Sequence, residues 1–139
     1  MNIDDVLEEL DEVDGFWLGK RSEEDIVAAE TALGVRFPAE YRRFVSGFGC
    51  GNVGAYEVYG VIDAERTGVP SCVQATLDAR RTGIATENDI VVYALGNGDL
   101  GVLDQATGTV SWVTPVGGRE PASPSFAAFL AGRVEMARS

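Results

Sequence analysis

From residue 3 to residue 13 the chain alternates in blocks that match a helix. Ile3, Val6, Leu7, Leu10 and Val13 recur on one face, and every other position from 4 to 12 is acidic. This spacing predicts an amphipathic helix over 3–13. Residues 14–21, DGFWLGKR, break the pattern and read as a loop carrying Phe16 and Trp17. Ser22 followed by Glu23-Glu24-Asp25 is a helix-start signal, and the helix it opens runs to about Leu33, with Gly34 as its stop. Phe37-Pro38 opens a third helix with Pro38 at or near its first turn. Tyr41, Phe44, Val45 and Phe48 are its apolar side, and Gly47, Gly49, Gly51 and Gly54 end it in a flexible glycine-rich loop.

The second half reads differently. Residues 56–62, YEVYGVI, are rich in strand formers, and 71–82 reads as a further helix despite Thr76 and Thr82. Ile90–Leu95 is a continuous strand-like run, Asn97-Gly98 a turn, and Leu100–Asp104 a second strand. Thr107-Gly108 lies in the next turn, and Thr109–Val113 alternates as a third strand. Tight turns between three strands predict an antiparallel meander. Pro115–Pro124 reads as a loop, and Ser125 or Ser123 caps a last helix with Phe126, Phe129, Leu130 and Val134 on one face. The expected fold is α+β, with N-terminal helices, then an antiparallel sheet, then a closing C-terminal helix, in one domain over 1–139. Residues 62–89 leave the pairing order of the strands open.

Composition narrows the function classes. The net charge is −11 and is placed unevenly: residues 1–30 hold 11 acids against Lys20 and Arg21, whereas 31–139 hold 11 acids and 9 arginines. Phosphate contacts need basic surface, so direct nucleic-acid binding is disfavoured, and a cationic protein partner is favoured. Histidine is absent, which removes Ser-His-Asp and Cys-His catalysis and most catalytic zinc and haem sites. Cys50 and Cys72 fit no zinc spacing and read as two reduced thiols. No apolar run reaches the length of a membrane span, and the acidic start lacks the features of a signal peptide. These features predict a cytoplasmic protein without metal, cofactor or catalytic residue; the oligomeric state is left open.

Several local patterns invite chemistry. Gly49-Cys-Gly-Asn-Val-Gly54 matches G-x-G-x-x-G, but a dinucleotide site needs that motif between a strand and a helix, and here the order is reversed. Gly96-Asn-Gly-Asp99 reads as a hairpin turn, since its spacing does not fit an EF-hand. The 22 carboxylates could supply an acid–base pair, but no pattern brings two of them into one pocket. Trp112 shares a face with Val110 and reads as core, and core packing is also favoured for Trp17, although aromatic residues can anchor interfaces. The acidic first helix is the informative feature. Its Asp4–Glu8, Asp5–Glu9 and Glu8–Glu12 pairs should together cost on the order of 1 kcal/mol. Such a face either serves solubility or docks a basic partner. Asp4, Asp5, Glu8, Glu9, Asp11, Glu12, Trp17, Glu23 and Glu24 are therefore the candidate partner-binding residues.

The stretch from Glu30 to Phe44, E-x-x-L-G-V-R-F-P-A-E-Y-R-R-F, resembles the signature of the SUKH superfamily. Its elements here are Glu30, Leu33, Gly34, Phe37, Pro38, Tyr41 and Phe44, followed by a glycine turn at Gly49 and Gly51 and a strand ending near Gly60. The family's turn is more often Asn-Gly-Gly. Ile90–Leu103 and the closing Ser125-Phe126-x-x-Phe129-Leu130 are similar in outline. Leu33, Phe37, Tyr41 and Phe44 are spaced to join two helices, so the motif is a folding signature rather than an active site. The resemblance implies a non-enzymatic immunity protein that neutralises a cognate polymorphic toxin, a basic nuclease or deaminase, through an acidic surface. The alternative is an interaction or scaffold module with a non-toxin partner.

Overall fold

A computed structural model describes residues 2–13, 15–54, 56–62 and 71–138. Four of the five described helices begin where a side chain caps them. Asn2 accepts the Asp5 N–H at 2.9 Å and opens α1 (Ile3–Leu10). Ser22 does the same for α2 (Glu23–Leu33) at 3.1 Å, and Gly34 ends it in the left-handed region at φ 66°. Pro38 precedes α3 (Ala39–Phe48). Ser71 caps α4 (Cys72–Arg81), and Ser125 caps α5 (Phe126–Ala137). The first helix stops at Leu10, a turn short of the expected Val13. Glu8, Glu9, Asp11 and Glu12 crowd a C-terminus that holds no basic residue, where the helix dipole disfavours negative charge.

Seven strands form one antiparallel sheet in sequence order. They are β1 (Gly15–Trp17), β2 (Gly51–Val53), β3 (Tyr56–Val58), β4 (Asp89–Ala94), β5 (Leu100–Asp104), β6 (Val110–Val113) and β7 (Arg119–Ser123). The expected meander is its centre. Three expected loops are corrected: 14–21 contains β1, the glycine-rich loop contains β2, and Pro115–Pro124 contains β7. Each is a short segment that carries glycine or proline and becomes a strand only because a neighbour pairs with it. Gly51 does not serve a turn. A Cβ there would overlap the Phe16 carbonyl and press on the Trp17 ring, so glycine lets β1 lie against β2. Gly60 likewise makes room for the Gly49 carbonyl.

Helices pack on both faces of the sheet. On one, α1, α2, α3 and α5 pack Leu10, Ile26, Tyr41, Phe44, Phe126 and Leu130 over Val58, Ile90, Leu103 and Val110. On the other, Val91, Val102 and Val113 meet Ala79 and Ala85 at the C-terminal end of α4. Thr76 shows why a poor helix former sits mid-helix. The ladder shifts register between Val91 and Tyr93, and the Thr76 hydroxyl accepts the Val91 N–H at 2.9 Å in a fully buried position.

Candidate interaction surface

Packing of α1 against α3 and α5, and of α2 against α3, pairs half of the acidic candidates internally. Asp4 meets Arg43 at 3.0 Å, and Arg138 meets Glu12 at 3.1 Å and Glu9 at 3.8 Å. Glu23 takes both terminal nitrogens of Arg42, at 2.8 and 2.6 Å, which lowers the Glu23 pKa mainly through those hydrogen bonds. These contacts relieve the repulsion expected along α1, though exposed pairs of this kind each contribute little. Asp5, Glu8, Asp11 and Glu24 are exposed and have no basic partner among the described residues. The structure thus divides the nine candidates: four free carboxylates, four neutralised ones, and Trp17.

Trp17 turns inward. Its ring stands edge-on to Phe44 at 5.8 Å and Phe48 at 5.4 Å. Adjacent strand residues face opposite ways, so Phe16 points outward and is 62% exposed. Without a strand assignment for 15–17, the sequence offers no way to tell which of the two aromatics is buried.

The signature residues build a joint between α2 and α3. Glu30 accepts the Phe37 N–H at 2.8 Å and receives Arg42 at 3.3 Å, while Phe37 stands edge-on to Tyr41 at 5.0 Å. Tyr41 is fully buried and donates its hydroxyl to the Tyr59 carbonyl at 2.8 Å. Leu33 and Phe44 are core. Gly49 takes positive φ at 75° and turns the chain out of α3. The motif holds the fold, as its spacing suggests.

The patterns that invited chemistry are structural. Gly49–Gly54 leaves a helix and enters β2, and its Cys50 carbonyl accepts the Leu18 N–H at 2.9 Å. At Gly96–Asp99 the Asn97 side chain accepts the Asp99 N–H at 2.9 Å in a hairpin turn. Cys50 and Cys72 are buried and not joined in a disulfide, and burial pushes the Cys72 thiol up to about 12, far from a reactive thiolate at neutral pH. Among the described residues no three His, Cys, Asp or Glu side chains come together as a metal site, and no helix is long and apolar enough to cross a membrane.

The sequence reading missed a cluster beside α5. Tyr93, Gly101 and Trp112 are cross-strand neighbours on β4, β5 and β6. A Cβ at position 101 would lie 3.1 Å from the Tyr93 Cβ and 3.2 Å from Phe129, so glycine lets these rings close up. The Arg133 guanidinium sits over Tyr93, Trp112 and Phe129 at 5.3–5.7 Å from their centres. Strand register sets Tyr93 and Trp112 on either side of Gly101, and packing of α5 brings Phe129 and Arg133 onto them.

No curated protein matches the chain. The family model SUKH_5, described as SMI1-KNR4 cell-wall, matches residues 3–135. A match over nearly the whole length, on a fold whose helix joint is built by the signature residues, places this chain in the SUKH superfamily as a member of the SUKH_5 family.

Proposed function

We propose that the protein is an immunity protein, which binds a basic cognate toxin and blocks it by occlusion without chemistry of its own. The observation that carries this reading is the band of free carboxylates on α1 and its C-terminal cap, Asp5, Glu8 and Asp11, in a family of binding domains. These charges project from a helix anchored by Val6, Leu7 and Leu10, so they are held in place rather than on a mobile tail. A rigid negative face accelerates encounter with a cationic partner and disfavours anionic ones. The absence of histidine and the burial of both thiols fit a role without catalysis. Co-expression tests the reading: the chain should restore growth to cells making the toxin encoded beside its gene. Failure to rescue, with both proteins present and soluble, would sink it.

The family's cell-wall description supports a second reading, an interaction module with a non-toxin partner. Gene neighbourhood separates the two, because only the first requires an adjacent toxin domain.

A further inference from the structure

The α5-facing side of β4–β7 is not fully covered. Phe129 and Arg133 lie over the row Tyr93, Gly101, Trp112, and the next row toward the β4–β5 turn is open. There Leu95, Asp99, Trp112, Thr114, Gly118, Arg119 and Glu120 line a groove of about 460 Å³, within the usual range for ligand pockets. Its floor is apolar at Leu95 and Trp112. Register puts Glu120 opposite Trp112, hence on the same side of the sheet, and Arg119 opposite Val113. Val113 belongs to the other face, and although Arg119 lines the groove, its guanidinium is engaged by the buried Asp89, 2.5 Å from that carboxylate. The carboxylate of Glu120 stays in the groove, and the cation beside it in sequence is held by Asp89. Asp99, on the β5 side, has only a 3.5 Å contact from the Asn97 amide. Neither Asp99 nor Glu120 has a basic partner among the described residues.

We infer that this groove receives a lysine or arginine side chain projecting from an extended segment of a protein partner. Its aliphatic stem would lie along Leu95 and Trp112, and its charged head would sit between Asp99 and Glu120. An apolar floor with an indole and two unpaired carboxylates complements a long cationic side chain in both shape and charge. The inference rests on the reading of a basic partner. It places a specific pocket near the β4–β5 turn, apart from the α1 carboxylates.

The test uses the full chain labelled with ¹⁵N. The probes are acetyl-Gly-Gly-X-Gly-Gly-amide peptides with X as arginine, lysine, glutamate or norleucine, at about 0.15 M salt to screen diffuse attraction. The Trp112 indole N–H and the Asp99 and Glu120 amides report the groove, and the Trp17 indole is the internal reference. The arginine and lysine peptides should shift the groove signals saturably. The glutamate and norleucine peptides should not. Asp99→Asn with Glu120→Gln should weaken binding about fivefold, the loss expected for two exposed charge contacts. Glu87→Gln, at an exposed carboxylate outside both surfaces, should leave it unchanged. An equal response to norleucine, shifts confined to α1, or unaltered binding by the groove variant would each overturn the inference. The Trp17 signal shows whether either variant has lost its fold. Rescue by the wild-type chain with no peptide response would refute the groove and keep the immunity reading; peptide binding without rescue would do the reverse.

Discussion

Replacing Glu30 tests whether the family signature is a folding device. Its carboxylate is 13% exposed and accepts the N–H of Phe37, itself a core residue, at 2.8 Å. Glu30→Ala leaves that donor without an acceptor where water has poor access. A hydrogen bond to a charged group contributes about 1.5–3 kcal/mol, and an unsatisfied buried donor costs a similar amount. The 3.3 Å contact to Arg42 adds little, because Arg42 keeps two shorter bonds to Glu23. The expected loss is therefore about 2–3 kcal/mol. With a urea slope of about 2 kcal/mol per molar, the unfolding midpoint falls by about 1–1.5 M. Glu30→Gln keeps a carbonyl oxygen for Phe37 and should lose about 1 kcal/mol. Glu23→Ala touches only exposed atoms and should lose less than either. Equilibrium urea unfolding followed by tryptophan fluorescence and by circular dichroism measures all three. A Glu30→Ala loss no larger than that of Glu23→Ala would refute the argument, because Phe37 would then need no acceptor.

Other outcomes follow from the same geometry. Gly51→Ala should cost about 3 kcal/mol or detach β1, seen as faster amide exchange at Leu18, since its Cβ would overlap the Phe16 carbonyl. Alkaline pH should destabilise the fold. Burial holds Cys72 and Tyr59 up at about 12 and pushes Tyr41 well above its ordinary value, so all three lie above their unfolded values. The folded state thus keeps protons that the unfolded chain releases, so this stability is intact below about pH 9 and is lost as pH rises toward 12. Urea midpoints that stay flat from pH 8 to 11 would contradict this. The two thiols should resist a disulfide exchange reagent at pH 8 at a rate limited by opening, and react at once in denaturant. Finally, Asp5→Lys with Glu8→Lys should slow association with a basic partner about tenfold at low salt and flatten its salt dependence, as stopped-flow mixing would show. An unchanged on-rate would remove α1 from the interface.

Much of this protein is legible in its sequence because the relevant physics is local. Ser22, Gly34, Pro38 and Ser125 act within one turn of helix, and Asn97-Gly98 sets its hairpin with its own atoms. The Leu33, Phe37, Tyr41, Phe44 spacing carries the joint between α2 and α3 within a dozen residues, across the short turn from Gly34 to Pro38. Tertiary structure decided the rest. The segments of β1, β2 and β7 lack any strand pattern of their own, and cross-strand partners make them strands. The charge on α1 was plain, but which carboxylates are free depended on Arg43 and Arg138, brought there by helices 39 and more than 120 residues distant. Which of Phe16 and Trp17 is buried, and which of Arg119 and Glu120 leaves its charge free in the groove, turned on strand alternation in segments that had read as loops. Composition counts charges, and only register assigns each of them to a face.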